Sequence, residues 1–432
     1  MIERIKTVLL ILLVAMSIVL TWQIWTYQPA YEFLLPTQYV AQEGIAEKRE
    51  LQELIKPALL VYHYGEGMYR ATYPDSFQYT VIQGQMKDWY FYHFKEFDPE
   101  SDPSWAQRRE EVSGVELIFP TQIPFSLLTN MFQFQMEETL KPVNRIWIYH
   151  DEAAEEVVAL FFSEENGQLT KAKTGISPTD LKTYLALGES KPIYEAFTFS
   201  GQGRKLAPVH YLNSEPVEMM EHHYFYQRIP IHSMISYLFV DPSFVRQIQE
   251  REGGTFFTDG SKGLQYDQNQ LSMHFFHPGS EIMGLEEENF TAQSVQRSIH
   301  FVNQHQGWED NYVLHSIAAN QAEQQVEVTF RKYIGSNPIY SQERDKDVNV
   351  IQLGLQQEKV RSYFRPLFKV DKLMNQVPRT LPAGNQLIAH LIQQDFPMEQ
   401  IVSIELGYQS QLYDDYLKYI PMWVISLEDG TG

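Results

Sequence analysis

Residues 4 to 27 read RIKTVLLILLVAMSIVLTWQIWTY, and this stretch decides where the rest of the chain folds. From Val8 to Leu20 every residue but Ser17 is apolar. A helix from Val8 to Trp25 would rise about 27 Å, close to the ~30 Å hydrocarbon core of a bilayer. Arg4 and Lys6 precede the run, and Trp22, Trp25 and Tyr27 close it as an interfacial aromatic belt. By the positive-inside rule, residues 1–7 form a cytoplasmic tail, 8–27 a single-pass signal anchor in the cell membrane, and the bulk of the chain is extracellular. A cleaved signal peptide has the same charge order. Cleavage needs small residues after the apolar run, however, and here Trp22, Gln23, Ile24 and Trp25 follow it. A buried core helix would be shorter and amphipathic.

The 432 residues hold 34 Lys+Arg against 55 Asp+Glu, a formal net charge of −21, and no Cys. Glu3, Arg4 and Lys6 leave the first 27 residues at +1, so the remainder carries −22. That balance excludes a nucleic-acid-binding surface, which needs clustered Lys and Arg against phosphate. The missing Cys excludes a disulfide scaffold, thiolate catalysis, iron–sulfur clusters and Cys-ligated zinc. It also suits an exported protein that does not rely on oxidative folding. The acidity reads chiefly as solubility of an outside domain.

Beyond the anchor, Gln28 to Pro36 reads as a stalk and Glu43 to Ile55 has helical spacing. Strand patterns follow at Ala58–Tyr64, Trp89–Phe94, Val115–Phe119, Arg145–Tyr149, Val157–Phe162 and Leu169–Lys173. Helical patterns at Pro74–Lys87, Ser104–Glu111 and Ser177–Leu187 interrupt them irregularly, which favours α+β over a wound parallel sheet. A second region opens at Lys191-Pro192, with helices expected at Ile231–Phe239 and Pro242–Glu250 and a turn at Asp259 to Gly263. A third, after Glu287, shows a faint internal repeat. His300 and His390 fall 90 positions apart, as do Glu309 and Glu399, each pair beside a helical stretch leading into strands. The expected division is 28–190, 191–287 and 288–432, three α+β parts behind one transmembrane helix.

No catalytic, cofactor-binding or metal motif emerges. His222-His223 point opposite ways on a strand, as do His274 and His277, and His300 and His305 are not spaced i, i+4. Asp345, Asp347 and Asn349 begin like a calcium loop, but Val350 and Gln356 stand where it needs Gly and Glu. Gly201 to Lys205 lacks the spacing of a phosphate loop and reads as a hairpin turn. Acidic runs at Glu110-Glu111, Glu137-Glu138, Glu155-Glu156, Glu286 to Glu288 and Asp414-Asp415 read as solvated faces. An exported chain without catalytic residues suits an interaction protein. On the anchor, Thr7, Val14, Ser17 and Thr21 share one helical face as a candidate transmembrane contact stripe, since small and hydroxylated side chains let membrane helices approach.

The opening from Ile5 to Tyr31, with LIFPTQIPFSLL at 117–128, FFTDGSKGLQ at 256–265 and YIPMWVISLEDG at 419–430, resembles the YycH (WalH) family of Gram-positive bacteria. The resemblance implies a three-part ectodomain whose C-terminal part is similar to the YycI fold. It further implies a regulator of the essential, cell-wall-controlling WalK (YycG) sensor histidine kinase, acting through transmembrane-helix contacts together with YycI. It carries no enzymatic residues and no cofactor. The alternative reading is an anchored protein that binds or hydrolyses a cell-wall polymer.

Overall fold

A computed structural model describes residues 2–26, 46–97, 104–135, 140–152, 154–164, 167–199, 206–250, 254–278, 290–320, 324–342, 347–356 and 359–427. The chain divides into two compact units, Met1–Ala41 and Gln42–Gly432. The first contains α1 (Ile2–Thr26), 25 residues with no Pro or Gly to interrupt the turns. Val14, Ser17, Thr21 and Trp22 are exposed on it. The side chains of Thr7, Val8, Ile11, Ile18 and Trp25 lie outside the described ones, as do Tyr27 and the stalk. Among the described residues no helix is long and apolar enough to cross a membrane. The anchor expected at 8–27 therefore rests on the sequence run itself.

The second unit is mixed α+β. Its first sheet contains β1 (Leu59–His63), β2 (Tyr69–Thr72), β3 (Tyr90–Phe97), β4 (Gly114–Ile123), β5 (Gln133–Gln135), β6 (Val143–Asp151), β7 (Glu156–Ser163), β8 (Gln168–Thr174), β9 (Ile193–Thr198) and β10 (Val209–Asn213). They lie in the order β10-β9-β2-β1-β4-β6-β7-β8-β3-β5. Around them sit α2 (Leu51–Leu54), α3 (Phe77–Met86), α4 (Ser104–Glu111), α5 (Phe125–Leu128) and α6 (Pro178–Gly188). α6 begins where Ser177 Oγ accepts the Asp180 N–H at 3.1 Å and Asp180 Oδ2 accepts the Ser177 N–H at 3.2 Å. This reciprocal cap, with Pro178 at the first turn, is the start signal written in the sequence.

The second sheet contains β11 (Val217–Arg228), β12 (Arg246–Gln249), β13 (Gly254–Thr258), β14 (Gly263–Asp267), β15 (Ser272–Phe276), β16 (Tyr312–Asn320), β17 (Gln325–Ile334), β18 (Asn337–Ser341), β19 (Val350–Gln356), β20 (Lys359–Pro366), β21 (Phe368–Leu381), β22 (Ile401–Leu412) and β23 (Tyr416–Leu427). Its order is β12-β13-β14-β15-β20-β19-β17-β18-β22-β23-β11-β21, with β16 on β17. The helices α7 (Ile231–Leu238), α8 (Phe290–Gln304) and α9 (Gly384–Gln393) flank it. One apolar core joins the two sheets and includes Phe161 from the first and Phe330 from the second. Backbone pairing ties the segment before α2 to the turn after α8: Glu47 bridges Trp308, and Gly307 holds φ +72° with its Cα facing Glu47 O, where a Cβ would lie 2.8 Å from that oxygen. Hydrogen-bond ladders cross both residue 190 and residue 287, since β9 pairs β2, β15 pairs β20, and β11 pairs β21 and β23.

Two local expectations need correction. Pro242–Glu250 is not a helix: Asp241 caps a single 3₁₀ turn at Pro242–Phe244, and Arg246–Gln249 then pairs with β13 as an edge strand. The Glu43–Ile55 helix shrinks, within the described residues, to Leu51–Leu54. Its upstream backbone is spent elsewhere, with the Ala46 N–H on Gln306 O and the Arg49 N–H on Asn303 Oδ1. The faint repeat is visible as architecture, because α8 leads into the hairpin β16–β17 and α9 into β22–β23. Its matched glutamates do different work: Glu309 pairs with the buried Arg365, while Glu399 sits in an exposed 3₁₀ turn.

Candidate interaction surface

Buried charge is the first place to look for chemistry. Glu116 on β4 is fully buried. It accepts from Arg145 Nη1 at 2.9 Å, from the Tyr211 hydroxyl at 2.8 Å and from Arg109, and lies 2.9 Å from His63 Nε2. Burial opposes its ionisation, but Arg109, then Arg145 and His63 outweigh that and hold its carboxyl well below the usual range. Every partner is itself packed, and Arg145 continues to Glu164 at 3.0 Å and to Val209 O at 2.7 Å. The cluster therefore ties β1, α4, β4 and β6 to β10 and leaves no opening for a substrate. A second cluster pairs buried Arg365 with Glu309, with Tyr363 and with the His305 carbonyl at 3.3 Å. Among the described residues no group of three or more His, Cys, Asp or Glu could hold a metal ion.

The expected histidines are accounted for locally. His222 meets Gln376 and Tyr408, His223 meets Glu221, and His305 donates from Nδ1 to Phe301 O at 2.7 Å. Asp347 pairs with Arg331 at 2.5 Å, and Asp345 lies outside the described residues. Glu156 forms an exposed pair with Lys173, and Glu111 accepts from Gln107. The Glu137-Glu138 and Glu286 to Glu288 runs and the Gly201 to Lys205 turn also lie outside the described residues.

What the second sheet does present is a cleft of about 900 Å³. Its floor is one row of directly paired residues crossing six strands. Gln265 pairs His274, His274 pairs Phe364, Phe364 pairs Gln352, Gln352 pairs Thr329 and Thr329 pairs Ser316. Side chains alternate across a strand, so each neighbour in sequence points the other way. Leu264, Phe275, Tyr363, Leu353 and Val328 accordingly form the matching row on the core face, each no more than 2% exposed. At ~4.8 Å between strands the polar row is about 24 Å long. Across the cleft β23 supplies Trp423, whose indole Nε1 donates to Pro382 O at 3.0 Å and so has a fixed orientation. The cleft-lining Arg331 is matched by Asp347 and stacks 4.0 Å over the Tyr340 ring. Sequence reading passed over this row because it exists only once six strands take their register. The recoverable signal is an apolar–polar dipeptide repeated in successive strands, such as Leu264-Gln265 and Leu353 beside Gln352.

A different surface lies at the sheet edge. β21 pairs with β11 and is exposed from Asp371 to Gln376, with Leu373 and Met374 in solvent, and Met220 and Phe225 of β11 are exposed as well. Lys372, Pro378 and Arg379 guard this edge against indiscriminate strand addition. The stripe expected from the sequence lies in the other unit, where Val14, Ser17 and Thr21 are exposed along α1.

The family model for the YycH protein N-terminal domain matches residues 3–184, and that for the YycH protein C-terminal domain matches residues 208–431. The two-component system WalR/WalK regulatory protein YycH of Bacillus subtilis strain 168 is 21% identical over 448 residues, covering 98% of this chain and 94% of the relative. A crystal structure of YycH from Bacillus subtilis superposes with a TM-score of 0.71 at 16% identity, covering 90% of this chain and 97% of that one, which shows a shared fold. The two matched domains, the end-to-end relative and the common arrangement of sheets agree, and the chain belongs to the YycH family.

Proposed function

We propose that this chain is a membrane-anchored, extracytoplasmic regulator of a sensor histidine kinase of the WalR/WalK type, working in a complex with YycI. The observation that carries the reading is the end-to-end similarity to a relative named as a regulatory protein of that two-component system. The anchor is residues 8–27, with 1–7 in the cytoplasm; the apolar run Val8 to Leu20 supports it. Thr7, Val14, Ser17 and Thr21 form the face that meets the kinase helices, and Trp22, Trp25 and Tyr27 fix its depth at the outer interface. The ectodomain parts 28–190, 191–287 and 288–432, the last YycI-like, present the surface for YycI, and the exposed β21 edge supports that role.

Docking one helix against the kinase biases its states only by the difference in binding free energy between them, typically about 1–3 kcal/mol. The test is co-purification of the full-length chain with the kinase and YycI from membranes. Recovery of both supports the reading. Recovery of neither, with the chain itself present in the membrane, contradicts it.

A further inference from the structure

We infer that the cleft on the second sheet is a binding site for a neutral oligosaccharide. This goes beyond kinase regulation, and its test does not involve the kinase. The floor row Gln265, His274, Phe364, Gln352, Thr329 and Ser316 contains no formal charge except through His274, and burial lowers the pKa of that imidazole, which favours its uncharged form. Amide and hydroxyl side chains each donate and accept hydrogen bonds. Sugar hydroxyls need the same two-way partner at every position, whereas an anion needs donors and a cation needs acceptors. Phe364 in the floor adds a flat apolar surface for the C–H face of a ring.

The electrostatics of the cleft select against charged polymers. Its cation Arg331 is already paired with Asp347, while the remaining lining acids are Asp267 and Glu327. Asp267 is occupied in its own turn, accepting the Asn269 and Gln270 N–H groups at 2.8 and 3.0 Å. A phosphate-bearing polymer therefore meets acidic side chains and no unmatched base in this cleft. An extended peptide is disfavoured for another reason, because strand addition needs a free sheet edge and this surface is a sheet face. The row is about 24 Å long at ~4.8 Å per strand, which suits a chain of several rings and not a monosaccharide.

The experiment is calorimetric titration of the full-length chain, in a polyoxyethylene detergent that carries no sugar, with N-acetylglucosamine pentamer and with cellopentaose. Polyglycerol phosphate and oligolysine serve as the charged comparators. Saturable binding of at least one neutral pentamer is expected, weakened about tenfold by Gln352→Leu and by Gln265→Leu, roughly the effect of leaving one or two polar groups of the sugar unpaired. Both positions face the cleft and not the core, Gln265 Nε2 also donating to Glu250 Oε2 at 3.1 Å so that Gln352→Leu is the cleaner of the two, and circular dichroism verifies that each variant is folded. Saturation-transfer NMR on the same pentamer gives a second readout, in which the ring protons receive magnetisation from the wild type and lose it in the variants. Absence of binding by either pentamer overturns the inference. So do binding indifferent to both leucine variants and preferential binding of polyglycerol phosphate or oligolysine.

Discussion

Replacing Glu116 by Gln keeps the shape of the side chain and removes its charge, leaving Arg109 buried without its counter-ion and Arg145 with Glu164 alone. Breaking a buried pair in this way costs about 3–5 kcal/mol, because the surviving charges stay desolvated. A unit the size of Gln42–Gly432 has an unfolding entropy of ~0.8 kcal/mol/K at about 2.1 cal/mol/K per residue, so the expected fall in Tm is ~4–6 °C if the unit melts as one. Differential scanning calorimetry at pH 7 measures it directly. The exposed pair Glu156–Lys173 provides the comparison, and Glu156→Gln should leave Tm unmoved. The acid side gives a second check. The folded Glu116 carboxyl titrates well below its ordinary value of 4.5, so its stabilisation is present above that value and is lost as pH falls through the folded pKa. The Tm gap between wild type and Glu116→Gln should therefore narrow in acid. A Glu116→Gln protein that melts within ~1 °C of wild type at pH 7 would refute the claim that this cluster fastens β10 to the first sheet.

Other consequences are more local. Ser177→Ala removes the reciprocal cap of α6 and should cost about 1 kcal/mol. Gly188→Ala should cost more, because its Cβ would lie 2.4 Å from the Tyr62 ring; chemical denaturation of both variants ranks them. Burial lowers the His305 pKa from 6.5 to about 4, so folding favours the neutral imidazole. Its contribution is intact above pH 6.5 and lost as pH falls toward 4, and a His305→Gln variant should show a shallower decline of Tm across that interval. Residues 191–287 expressed alone should give a collapsed NMR amide spectrum, since β11 and β15 would lack β21, β23 and β20.

Much of the first sheet was legible because its strands are apolar runs bounded by turns, and α6 was legible because Ser177, Pro178 and Asp180 write a start signal in adjacent residues. β11 and β21 were not. Their partnership spans residues 217 to 381 and contains two register shifts, and both strands carry adjacent apolar residues such as Met219-Met220 and Leu373-Met374 in place of the alternation that marks a half-buried strand. Pro242–Glu250 misled for a related reason: Asp241 and Pro242 do open a helical turn, but Arg246–Gln249 lies on an edge whose pairing with β13 decides the outcome. The cleft was invisible for the same physical cause. Glutamines at 265 and 352 look like scattered surface residues until three pairings set them in one row.

In the proposed function, regulation lies in the small apolar end of an otherwise acidic chain. The direct measurement exchanges Val8 to Leu20 for polyleucine in the full-length chain and reads kinase autophosphorylation and co-purification in the same membranes. Replacing Val14 and Ser17 at the centre of the stripe in this way should shift kinase output by about 5–150-fold, the range of a 1–3 kcal/mol coupling, and weaken co-purification while the protein stays anchored. Unchanged output with unchanged co-purification would contradict control through helix contacts.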